Sequence, residues 1–372
     1  MTKIGNRTVK AALVTLCFAQ ASLAGQPRAG TTADSLSLRA ALLSAGGAAP
    51  AVPEAAKPEQ PASFAWADEV IAGNKTLDKL IGLASLRKED RRQRPQTIAV
   101  IGDGITVEAF RPMLALTRGG AINGFDLCAG NSLNLGPAQS RHEETIASLI
   151  AFAADFNRGQ QHKILIMPLK VVADKQEFDP NFQKKIADAV DYARVNGADV
   201  ISISQGISAH SSYSFLFVDG NKTKSLAYMQ AAMDRATQAG ILIFGAGTND
   251  PARDHVKEPE IPANLRGVVS VANHDGALKR ISGYGDNITL AFLGTGLFGW
   301  DAESGTHELG RGTSMATPLV AAYAALYRAR YPQAGAEQVL RALGSAILKE
   351  PKLGPHMRGR FDPVLFLRTA PR

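Results

Sequence analysis

From Thr97 onward, short continuous apolar runs alternate with segments of helical period, and that alternation leaves few folds open. Ile98–Ile101, Lys163–Met167, Ala198–Ser204, Ile241–Phe244 and Val268–Ala272 read as strands. His142–Phe156, Asn181–Asn196 and Leu226–Gln238 read as helices between them. A strand that is apolar at successive positions buries both of its faces, so something must cover each side. Gly197 and Gly240 stand where two of the helices end, as C-capping glycines do. The pattern therefore predicts an α/β fold: a doubly wound, mostly parallel central sheet with helices on both faces. No internal repeat interrupts it.

The last helix of this series carries the candidate chemistry. Gly310-Arg311-Gly312-Thr313-Ser314 opens into an apolar, small-residue run from Leu319 to Tyr327. A Gly-rich turn entering a helix places Ser314 near unpaired backbone N–H groups and the positive end of the helix dipole. A nucleophilic serine needs that setting, because its oxyanion intermediate must be held by donors already in place. A buried helix with a serine at its N-terminus has the same appearance. The local pattern leaves both readings open.

Gly312-Thr313-Ser314-Met315-Ala316-Thr317-Pro318 resembles the serine motif of the subtilisin-like serine proteases, the subtilases, at every position. The resemblance extends over roughly residues 96–345, through Ile166–Val171, Ala198–Gly206, Pro262-Ala263-Asn264 and Ile281–Gly285. It implies a serine endopeptidase that works through an acyl-enzyme, with Asp, His and Ser in that order along the chain. On this reading Ser314 is the nucleophile and His142 the general base, since His142 alone among the histidines opens a family-like helix. Glu143 and Glu144 stand where that family has Gly-Thr. Acids in a first helical turn suit the dipole but raise the pKa of a neighbouring base.

Two further assignments are displaced by one residue. The strand Ile98–Ile101 runs into Gly102-Asp103-Gly104, with Gly102 at the position of the family's aspartate and Asp103 one later. In a strand such a slip turns a side chain to the other face. The flanking glycines offer the freedom to turn it back, so Asp103 is expected to orient His142, with a turn aspartate as the competing reading. Likewise Thr248 stands at the oxyanion-hole asparagine and Asn249 one residue later. Ser204, Gln205 and Gly206 match the strand end that pairs with substrate backbone.

Composition sets the surroundings. Of 372 residues 45% are hydrophobic and 20% charged, enough apolar material for a large core. The net charge of +7 sits largely near the ends and in Arg87–Arg94 without interleaved aromatics, which argues against nucleic acid as a partner. Residues 1–24 read as a signal peptide, with Lys3, Arg7 and Lys10 before the apolar run Ala11–Phe18 and Ser22-Leu23-Ala24 at the cleavage position. The run is too short to span a bilayer, and a secreted or periplasmic protein is expected. Residues 25–95 read as an Ala/Pro-rich linker or pro-segment, 96–345 as the peptidase domain and 346–372 as a C-terminal tail. Cys128 alone would remain after cleavage, so no internal disulfide can form. No cofactor is indicated. Calcium stabilises many subtilases, but no ligand spacing for it is readable here. The expected partner is a polypeptide substrate. An impaired subtilase fold that only binds peptides is the alternative. An esterase reading of Gly102-Asp103-Gly104 fails because Gly104 stands where its serine would have to be.

Overall fold

Alternate residues of the first strand, β1 (Gln96–Gly102), enter different cores, which is why the run reads as uniformly apolar. Ile98 and Val100 pack into one cluster and Ala99 and Ile101 into another. The computed structural model describes residues 65–77, 94–138, 140–154, 164–173, 179–211 and 215–372. The expected signal, residues 1–24, and most of the segment 25–95 lie outside these.

Strands β1, β2 (Phe125–Asp126), β3 (Ile164–Lys170), β4 (Val200–Ile203), β5 (Leu242–Ala246), β6 (Val268–His274) and β7 (Leu290–Leu293) form one sheet with parallel pairing throughout. The order across the sheet is β8-β9-β7-β6-β5-β4-β1-β3-β2, with β8 (Ile347–Leu348) and β9 (Arg360–Phe361) at one end. Strand β9 continues the parallel pairing and β8 is its antiparallel edge.

Helices α1 (Ala65–Gly73), α2 (His142–Ala154) and α5 (Thr313–Arg330) cover one face. Helices α3 (Phe182–Val195) and α4 (Lys222–Gln238) cover the other. The doubly wound, mostly parallel architecture expected from the alternation is thus present. Helix α5 is central: Leu319 to Ala325 are all fully buried, which its Ala-rich surface allows by letting sheet and helices approach closely. Each buried Leu, Val or Ile side chain is worth roughly 1.5–3 kcal/mol relative to exposure.

Both flanks of the predicted domain join this body. In the segment 25–95, Trp66 on α1 stacks on Trp300 at 5.3 Å and lies 5.0 Å from Phe110. After residue 345, β8 and β9 extend the sheet, and Phe366 on α6 (Pro363–Arg368) stacks at 4.6 Å on Tyr327 of α5. Helix α4 begins at Lys222, four residues before the apolar pattern does. Asn221 caps it by accepting from Lys224 N, so a polar first turn, in which Ser225 alone is buried, is helical.

A candidate active site at the start of two helices

Ser314 lies half-buried in the first turn of α5, at the sheet end where β4 and β5 stop. Pro318 follows four residues later inside the same helix. Proline has no N–H, so the Ser314 carbonyl loses its usual helical partner. Ser204 Oγ, just past β4, donates to that carbonyl at 3.0 Å. In return Ser314 Oγ donates to the Ser204 carbonyl at 3.1 Å. The motif's proline thereby creates an acceptor that locks the end of β4 to the serine.

His142 opens α2, and Asp103 shapes that opening. The Asp103 carboxylate accepts from the backbone N–H of His142 at 3.1 Å and of Glu143 at 3.0 Å, and from Ser140 Oγ. It acts as a cap supplied from the end of β1, satisfying helix donors that have no internal partner. Gly104 lets the chain leave at φ +92°, where an added Cβ would sit 2.5 Å from the Gly136 carbonyl oxygen. Asp103 faces α2, but it meets the backbone N–H groups of that helix and not the imidazole.

The carboxylate that meets the imidazole belongs to Glu143. His142 Nδ1 lies 3.1 Å from Glu143 Oε1, so the tautomer carrying its proton on Nδ1 donates there and leaves Nε2 free. Gln205 Nε2 donates to the same oxygen at 3.1 Å, and Asp103 N donates to Oε2 at 2.9 Å. Glu143 is 1% exposed, and three donors hold it in place. Its side chain lies over Gly102, where an added Cβ would fall 1.8 Å from Glu143 Cδ. Glu144 turns elsewhere: it accepts from Thr106 N at 2.9 Å and Ala302 N at 2.8 Å, binding the loop after β1 to a hairpin strap.

Electrostatics separates the two acids. Burial and the neighbouring Glu143 charge push the Asp103 carboxyl up to about 8. Burial also opposes the Glu143 charge, but His142 and the hydrogen bonds from Asp103 overcome it and bring Glu143 down to about 2. For His142, burial disfavours the imidazolium, while Glu143 and, to a smaller extent, Asp103 favour it; the net shift is upward.

Of the two oxyanion candidates, only Asn249 turns toward Ser314. Its Oδ1 accepts from Thr313 N at 2.8 Å and Thr313 Oγ1 at 3.2 Å, which sets the amide beside the residue preceding Ser314. Thr248 is buried toward Gly283 and His255: Thr248 N donates to His255 Nε2 at 3.3 Å. That histidine is structural, with its Nδ1 2.7 Å from Asn264 Oδ1 and its pKa lowered by burial. Ser204 and Gln205 each touch one half of the site, the serine helix and the histidine pair, and Gly206 beyond them is exposed. Glu143 is the residue that sequence reading missed. The signal was present as an acid beside His142 together with a glycine where the family has its aspartate. Among the described residues, no three His, Cys, Asp or Glu side chains converge as a metal site. None of the described helices is long and apolar enough to cross a membrane.

Residues 97–356 match the subtilase family. Subtilisin DY of Bacillus licheniformis is 30% identical over 161 residues, 43% of this chain and 53% of that protein. A thermostable alkaline protease of Halalkalibacterium halodurans is 32% identical over 149 residues, 40% of this chain and 36% of that protein. The aligned stretch thus spans about half or less of these relatives. Among solved structures, a lanthipeptide protease superposes with a TM-score of 0.63 at 18% identity, covering 81% of this chain and 94% of that one. The nisin leader peptidase NisP from Lactococcus lactis gives 0.59 at 16% identity, covering 78% and 92%. At these identities the likeness is one of fold.

Proposed function

This chain belongs to the subtilase family, and from that premise we propose that it is an exported serine endopeptidase acting through an acyl-enzyme on Ser314. The observation that carries the reading is the arrangement of residues 204–205. Ser204 exchanges hydrogen bonds with Ser314, and the next residue, Gln205, binds the carboxylate that holds His142. Nucleophile and base are therefore tied to the same two residues of chain.

The chemistry follows from the groups present. Ser314 Oγ leaves the Ser204 carbonyl and gives its proton to His142 Nε2 as Oγ bonds to the scissile carbonyl carbon. The Ser314 N–H and the Asn249 amide hold the oxyanion. His142 then gives the proton to the leaving amine as the C–N bond breaks. Water, activated the same way, releases the acyl group and restores Ser314. The exposed edge at Gln205 and Gly206 receives the polypeptide as an added strand. Export rests on the charged and apolar pattern of residues 1–24.

Degradation of an unfolded protein substrate by the purified full chain, compared with Ser314→Ala, tests the reading. Cleavage by the parent and none by the variant is the expected result. Peptide capture by both proteins with cleavage by neither would favour the binding-only alternative.

A further inference from the structure

We propose that Glu143 is the positioning carboxylate for His142, so that the acid reaches the imidazole from the first turn of α2 over the bare backbone of Gly102. The inference rests on the serine-protease reading above and specifies one member of its machinery. Three observations converge on it. The Nδ1 of His142 lies within hydrogen-bond distance of Glu143 Oε1. The space above Gly102 is filled by that same carboxyl group, so no side chain on β1 can stand there while Glu143 does. Asp103, the nearest acid on the strand, spends both carboxylate oxygens on the helix start and on Ser140.

The geometry explains why both changes belong together. An acid on the strand and an acid at this helix position cannot share one space, so Glu143 requires Gly102. The glutamate would otherwise swing freely, but Gln205 and the Asp103 N–H fix its two oxygens. Positioning groups must be held by their own partners if they are to hold the base. Asp103 becomes a support: it caps the helix that carries both His142 and Glu143.

The charged or titratable groups that face His142 are Glu143 on its own helix and Asp103 from the end of β1. Gln205 from the loop after β4, whose Nε2 lies 3.5 Å from His142 Nδ1, is neutral. The assignment can therefore be read without turnover. In full-length Ser314→Ala protein, the His142 titration followed by NMR is expected to move down by roughly one pH unit or more when Glu143→Gln is added, the scale of a lost adjacent charge. Asp103→Asn in the same background should move it less. In active protein, Glu143→Gln should lower kcat by about 10⁴-fold, the loss seen when a serine protease forfeits the carboxylate on its base, with KM changing far less. A larger effect of Asp103→Asn than of Glu143→Gln on both the titration and kcat would overturn the assignment. So would an unmoved His142 titration in folded Glu143→Gln protein. Should the parent cleave nothing, the protease reading fails, while the titration still decides which acid holds His142.

Discussion

The Glu143 carboxyl group and Gly102 occupy complementary space: a Cβ on Gly102 would lie 1.8 Å from Glu143 Cδ. Absence of a side chain on the strand and presence of one on the helix are thus one structural feature. A methyl group at Gly102 must displace the glutamate, since the clash is with its carboxyl end and β1 is fixed between β3 and β4.

Gly102→Ala is accordingly expected to lower kcat nearly as far as Glu143→Gln does, with a modest loss of stability of about 1–3 kcal/mol from overpacking. The double change Gly102→Asp with Glu143→Ala returns the acid to the strand. Its kcat should exceed that of either single variant, measured with one peptide substrate. A double variant no better than the singles would mean that the vacated space does not serve the imidazole.

The pH dependence of the parent enzyme follows from the upward shift of His142. A base works only when unprotonated, so the acid limb of kcat/KM should lie above the 6.5 of an ordinary imidazole. Removing the Glu143 charge lowers the His142 pKa, and Glu143→Gln should bring the limb to lower pH while reducing the plateau. A limb that stays in place in this variant would contradict the assigned electrostatics.

Asn249→Ala should lower kcat by about 10²–10³-fold with little change in KM, as loss of one oxyanion donor does. Thr248→Val should change kcat much less, because that side chain faces Gly283. The reverse ranking would show that the strand position, and not the residue after it, supplies the donor.

Ser204→Ala leaves the Ser314 carbonyl without the donor that stands in for the N–H that Pro318 lacks. The expected cost is about 1–3 kcal/mol of stability, read by thermal unfolding, along with reduced kcat because the serine backbone is no longer pinned. Unchanged melting would mean that water satisfies the carbonyl equally well.

Much of this was legible in the sequence because it depends on local pattern. Double-sided burial makes Ile98–Ile101 and its neighbours apolar throughout, and the Gly-rich turn before Leu319–Tyr327 marks the serine helix. His142 was legible from its place before an apolar helix. The orienting acid was not, because reading by position assigns roles to aligned residues, and Glu143 reaches the imidazole through side-chain length and a missing Cβ forty-one residues earlier in the chain. Its negative charge does raise the pKa of the base, as an acid at that position should, and the same carboxylate lies on the imidazole Nδ1. Asp103 and Asn249 show the same limit from two sides. Both are shifted by one residue, yet Asn249 turns toward the serine helix and Asp103 turns to the amides of α2. Which way a side chain turns after a strand end is decided by contacts far away in sequence.

The most direct test of the central claim is the site and rate of modification by a serine-directed phosphonate. Purified full-length protein should take up one equivalent, and peptide mass mapping should place the adduct on Ser314. Ser314→Ala should take up none, and folded Glu143→Gln should react far more slowly than the parent. No adduct on Ser314 in folded protein, or an adduct formed at the same rate with Gln at position 143, would contradict the account.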